Sequence, residues 1–335
     1  MQTEFWGRAG ALWGAQLMQK VCILVFSFFV GHRLGAEGVS VMASVLALSW
    51  MGGTVAGLGL PDRALFRGAA DDKDAENRRL HGFFLFTVGL VHVGLFWFAP
   101  ALAGTEDPTL VSFARGLIVG AGLQCASALG LGWLRGATVV AYEALSTLLC
   151  GVLLIIGALM DIPLGLVWAL GGGCFLLGSV LGNLRMSGIV PRLPLWADIE
   201  SAIRAGLPYL ILGIASWTVG NIDIVLGRLF YLPSDVGALQ VGTMAVRGLG
   251  LLPWVAATLM LRNLHEEWSN GIRPHPWSWL RNAFFVGLLV AALAWLLMPL
   301  LAQGHAMPVS SIERSTWASM LFAPFTYAVI LLIPI

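Results

Sequence analysis

Apolar runs of twenty or more residues, separated by short clusters of glycine, proline or charge, recur along almost the whole chain. A helix rises about 1.5 Å per residue, so about 20 such residues cross a hydrocarbon core of roughly 30 Å. The runs predict ten helices, at residues 8–32, 38–60, 80–102, 109–134, 139–160, 164–184, 203–230, 235–262, 280–301 and 312–335. The expected fold class is therefore all-α: a polytopic transmembrane helical bundle.

Basic residues test this placement, because ten spans put alternate loops on opposite sides. Thirteen of the 19 lysines and arginines fall on one side, and Arg33, Arg228 and Arg314 on the other. Lys20, Arg115 and Arg247 lie within spans. The side rich in lysine and arginine is the cytoplasmic one, which predicts an integral protein of the bacterial cytoplasmic (inner) membrane with its amino terminus in the cytoplasm.

Composition narrows the function. The chain is 58% hydrophobic and 11% charged, against about 25% charged in soluble domains, which excludes a simple globular enzyme. A net charge of +1 gives no basic surplus for nucleic acid. The largest polar segments, "PDRALFRGAADDKDAENRR" (61–79) and "RNLHEEWSNGIRPHPWSWL" (262–280), are too short for a soluble catalytic domain. No enzymatic activity and no cofactor are expected, and the function is placed inside the membrane. Gln16, Gln19 and Lys20 interrupt the first run, which lacks a small-residue cleavage site and reads as a retained span rather than a signal peptide.

An internal repeat organises the chain. "RAG" opens the first helix at 8–10 and the seventh at 204–206, and the turns "LGAEGVSVM" (34–42) and "YLPSDVGAL" (231–239) follow at nearly the same offset. A period of six helices keeps orientation, so the copies are expected to be parallel repeats with a cargo site between them. The predicted domains are a six-helix bundle over 1–190 and a second bundle over 191–335 in which four helices are present; the chain is expected to be a truncated or reduced form of that plan.

The chemistry lies in the deep charges. Lys20 is twelve residues past Arg8, about 18 Å along a helix and near the bilayer centre. Gln16 and Ser27 share its face, with Gln19 adjoining, so the first helix carries a polar stripe. Such a stripe is expected to face a bundle interior or a wet cavity. Arg247 has Thr243 and Gln240 on its face, Asp223 sits beside Asn221, Arg115 lies toward the outer end of the fourth helix, and Glu143 is a turn inside the fifth. One reading pairs Lys20 or Arg247 with Asp223 as a structural ion pair. The other notes that one acid leaves two cations unmatched, which calls for an anionic ligand such as phosphate or pyrophosphate.

Other candidates are weaker. Cys22, Cys125, Cys150 and Cys174 show no metal-type spacing and read as small core residues; no metal site is expected. His81, His265 and His275 fall near the cytoplasmic surface and His32 and His305 near the outer one, while His92, alone in the third span, reads as a satisfied structural histidine. Tryptophans at span ends form an aromatic belt, and the glycines of "ALGLGWLRG" (128–136) and "LGGGCFLLG" (170–178) permit close helix packing.

"RLGAEGVSVMASVLALSWMGGTVAGLGLPDRALFR" (33–67), "GWLRGATVVAYEAL" (132–145) and "RAGLPYLILGIASWTVGNIDIVLGRLF" (204–230) together resemble a polysaccharide-transport family of the multidrug/oligosaccharidyl-lipid/polysaccharide exporter superfamily. The resemblance covers the first half and the second as far as the eighth helix. It implies a V-shaped pair of six-helix bundles whose first, second, seventh and eighth helices line a central cavity, placing Lys20, Asp223 and Arg247 there. It implies flipping of undecaprenyl-pyrophosphate-linked oligosaccharides to the outer leaflet by alternating access. Lys20 and Arg247 would bind the pyrophosphate, Asp223 would hold one of them, and Arg115, Gln16 and Gln19 complete the candidate set. The implied partners are a lipid-linked anionic glycan, membrane lipid, and the polysaccharide polymerase and glycosyltransferases of the same pathway. The family's core has at least twelve helices, so two are missing from the second bundle. The competing readings are a cation-coupled multidrug exporter of the same fold, which favours an acidic intramembrane site, and an integral membrane enzyme, which the short outer loops disfavour.

Overall fold

The computed structural model describes residues 2–61, 74–134, 139–186, 196–249, 276–314 and 316–317. Every regular element among them is helical: α1 (Gln2–Ala56), α2 (Asp74–Trp97), α3 (Ala99–Ala103), α4 (Pro108–Leu134), α5 (Val139–Leu159), α6 (Leu164–Met186), α7 (Trp196–Phe230), α8 (Pro233–Leu249) and α9 (Pro276–Gly304). Among the described residues, five helices are long and apolar enough to cross a membrane, six if the two pieces of α7, Tyr209–Ala215 and Gly220–Phe230, count as one span. The chain is a polytopic helical membrane protein.

α1 holds the first two predicted helices, which break at Gly35. The apolar part of α1, Leu17–Ala56, is 40 residues, about twice what one crossing needs, and its two arms meet at Gly35. Gly35 adopts φ 66 and ψ −166, a region that a side chain makes costly to occupy. The chain changes direction there without an intervening loop. Helix α8 is described to Leu249, so the second half of the predicted 235–262 helix lies outside the described residues, as does all but the start of the predicted tenth.

Two compact units partition the chain: residues 1–26 with 44–218, and residues 27–43 with 219–335. In the first unit, α4 and α6 approach backbone to backbone. A side chain on Gly116 would run into the Gly165 backbone, and one on Gly120 or Gly172 would strike the carbonyl of Trp168 or of Gly120. Small residues replace the hydrophobic drive that lipid cannot supply and let dispersion contacts hold the pair. Gly171 and Gly178 likewise seat Cys150 and Ser146 of α5, so three glycines of the 170–178 stretch set its packing. A second core joins Ala56, Leu60, Leu80, Phe83, Phe84, Val88 and Leu129, and at the end of α1 the positive-φ Gly59 (φ 70) packs on the α7 backbone at Leu210.

The second unit is built on α1 residues 27–43 and on α7 to α9. Ala43, Ile224 and Val236 form its core with Leu239, and Gly237 packs on the Ala36 carbonyl. Outward faces of α5 (Leu148, Leu149, Val152, Ile156) and α9 (Leu289, Leu296, Leu300) are exposed and apolar. Such faces invite aggregation in water and suit hydrocarbon.

Candidate functional site

Lys20 and Gln19 lie on the first arm of α1, in a stretch that divides its faces between packing and exposure. Cys22 and Phe26 are buried, and Leu17, Met18, Lys20 and Val21 are exposed. Lys20 therefore keeps accessible surface, three residues inside the start of the apolar stretch at Leu17. The predicted polar stripe does not continue intact: Ser27, seven residues on, is fully buried. Gln19 is half-buried and faces Cys150, so its amide serves a contact with α5. Gln16 is helical, and its side chain lies outside the description.

Arg115, on α4 in the same unit, is half-buried, with its Cζ 5.2 Å from the centre of the Phe96 ring. Its Nε is buried without a hydrogen-bond partner. A guanidinium over an aromatic face keeps its charge while its donors stay available to an anion.

Asp223 and Arg247 belong to the second unit. Asp223 is half-buried on α7 and, like Asn221, already engaged by a neighbouring group. Arg247 lies in α8, its side chain outside the description. On its predicted face, Thr243 is buried and donates to the Gln240 carbonyl at 3.1 Å. Arg228 donates from Nη1 to Ser40 Oγ at 3.2 Å, with Glu37 nearby to offset its charge. The structure thus sets Lys20, Gln19 and Arg115 in one unit and Asp223 and Arg247 in the other.

Three features were not legible in the sequence. His305, expected near the outer surface, is 1% exposed. Its Nε2 is 2.9 Å from Ser27 Oγ and its Nδ1 2.8 Å from the Leu301 carbonyl, while the Phe28 ring meets it edge-on at 4.8 Å. A hydrogen on Nδ1 leaves Nε2 to accept from Ser27, so the tautomer is set by the helix it caps. Just beyond the apolar stretch of α9, burial pushes the imidazole below the ordinary histidine range; the Leu301 carbonyl opposes that shift and His32 adds to it. A side chain on Gly31 would collide with the His305 backbone, which is why the first arm comes this close.

His81, expected near the cytoplasmic surface, is also buried. The third feature is the cysteines. Cys22 lies against Gly151, and Cys150 lies against Gly171 one turn before Cys174. Thiols from three helices therefore gather in one region of the first unit. All four cysteines are free, and among the described residues no group of three or more metal-binding side chains is placed to hold an ion.

No family model matches the chain, and no curated protein matches it in sequence. Solved structures do match in fold. An outward-facing multidrug resistance MATE family transporter of the MOP superfamily superposes with a TM-score of 0.60 at 16% identity, covering 98% of this chain and 83% of that one. A MOP superfamily transporter from Pyrococcus furiosus, described as having a binding pocket of reverse polarity that suggests a different function, superposes at 0.57, with 16% identity and coverage of 98% and 83%. The MATE multidrug transporter DinF-BH, solved in complex with a ligand, gives 0.57 at 13% identity, over 94% of this chain and 77% of that one. The chain has the fold of these transporters.

Proposed function

We propose that the chain is a membrane transporter that moves amphiphilic cargo outward by alternating access between two parallel bundles, 1–190 and 191–335. The carrying observation is the fold shared with MATE transporters over 98% of the chain at a TM-score of 0.60. The multidrug-exporter reading comes first because neighbours of that fold are multidrug transporters, one of them solved with its ligand in place. Lys20 is exposed on the first helix, inside its apolar stretch, and supplies a positive contact for cargo. An exposed cation there favours neutral or anionic amphiphiles over cationic ones.

A second reading, flipping of undecaprenyl-pyrophosphate-linked oligosaccharides, has its own support. Lys20 and Arg115 offer donors suited to a pyrophosphate, and one fold neighbour is itself described by a pocket of reverse polarity. Under this reading the partners are the glycosyltransferases that build the lipid-linked glycan and the polymerase that extends it, and the site is Lys20, Arg115 and Arg247 with Asp223, Gln16 and Gln19. The membrane is then the cytoplasmic one, amino terminus inside.

Purified protein in liposomes separates the readings. Movement of fluorescent small amphiphiles without movement of a fluorescent lipid-pyrophosphate glycan supports export. Flipping of the glycan alone moves the second reading to first place. Movement of neither class under any imposed gradient rejects transport.

A further inference from the structure

The third span holds a histidine that its surroundings leave half-satisfied. His92 lies on α2, 7% exposed. Nδ1 is 2.8 Å from the Val88 carbonyl one turn back, which fixes the hydrogen on that nitrogen and leaves Nε2 as the lone-pair acceptor. Nε2 is buried and makes no hydrogen bond. A structural histidine in a dry interior uses both nitrogens, since an unpaired polar group there costs about 1–3 kcal/mol.

The groups around Nε2 suit a proton. The Ser49 carbonyl faces the ring, and the Ser49 hydroxyl is fully buried with no partner of its own. That carbonyl is an acceptor, so an added N–H at Nε2 finds a place to donate. Glycines make the room: a side chain on Gly122 of α4 would meet His92 Cγ at 2.9 Å, and one on Gly53 of α1 would meet Cε1 at 3.5 Å. The titratable neighbour from α4 is Cys125, which lies against Gly53. Residues 49–53 of α1 contribute no ionisable group. One turn along α2 from His92 is Phe96, which carries the Arg115 guanidinium on its face.

We infer that His92 is a proton-binding site within the first unit, taking a proton at Nε2 with Ser49 as its acceptor, and that its loading sets the pH dependence of transport. His92 meets α4 at Gly122, seven residues or about 10 Å along the helix from Arg115, so protonation adds positive charge to the same unit, and its anion affinity rises when the site is loaded and falls when it empties. The inference rests on the transport reading for its consequence and on geometry alone for the site.

Protein carrying nitrogen-15-labelled histidine, reconstituted in lipid nanodiscs, is titrated between about pH 5 and 8, the range in which an imidazole switches, and its imidazole nitrogens are followed by NMR. One histidine signal, absent from His92→Gln, is expected to pass from a single neutral tautomer to imidazolium. Ser49→Ala keeps both the histidine and the backbone carbonyl that faces it, so the midpoint is expected to match the parent's. A His92 signal that stays neutral throughout overturns the site, and a midpoint displaced by Ser49→Ala overturns the carbonyl as its acceptor. Transport of a fluorescent amphiphile by the same preparations is expected to lose its pH dependence in His92→Gln; a profile unchanged from the parent overturns the coupling. Absence of transport in the parent at every pH counts against the transport reading, and the NMR titration still decides the proton site.

Discussion

Gly35 shows how much one residue contributes to this architecture. Nothing lies within 4 Å of where its side chain would stand, so its identity is fixed by backbone conformation and not by space. Gly35→Ala is expected to cost about 1–3 kcal/mol, seen as a lowered thermal midpoint in detergent. Gly89→Ala, also in open space but at an ordinary helical position, is expected to be neutral or slightly stabilising. Equal midpoints for the two variants would contradict the assignment of strain to residue 35. His305 gives a second test at this scale. Its folded form favours the neutral ring, whereas the unfolded chain protonates near the ordinary value of about 6.5. Stability contributed by this group is thus present above that value and lost as the pH falls below it. His305→Gln is expected to flatten the acid side of the stability profile; a parallel profile would sink the argument.

Among the helices, the approach of α4 to α6 makes the sharpest demand. Gly120→Val drives a methyl group into the Trp168 carbonyl and ring. Overpacking of this kind costs about 1–3 kcal/mol, expected as a lower yield of folded protein and a lower midpoint. Gly173→Val, on α6 with open space around it, is expected to be neutral or slightly stabilising, because valine is the better helix former. The sequence carried the apolar periods of these helices because each lies within its own twenty residues. Glycine-rich runs likewise announced close packing without naming the partners. What local pattern could not carry is pairing at long range: Ser27 meets His305 across 278 positions, and Cys22, Cys150 and Cys174 come from separate spans. Nor does span position say whether the second ring nitrogen of His92 is matched. The break within α1 was legible, since "LGAEG" has the composition of a turn and the chain turns at Gly35.

For the whole molecule, two compact units and exposed apolar faces describe a protein made for lipid, and its fold is one that solved transporters share. Lys20 is the residue through which that fold would become selective. Its exposure on the first helix, inside an apolar stretch where an idle charge is expensive, is the basis for expecting it to touch cargo. The candidate set was legible as residue types at span depth, while the division of those residues between two units was not, because it follows from tertiary contacts. Lys20→Glu, assayed in liposomes with matched fluorescent amphiphiles of opposite charge, tests this directly. The account predicts that the ratio of anionic to cationic cargo moved falls by about tenfold or more, the change that ~1.4 kcal/mol of selectivity sets. A ratio unchanged by the reversal, in protein that is folded and still transports, would contradict it.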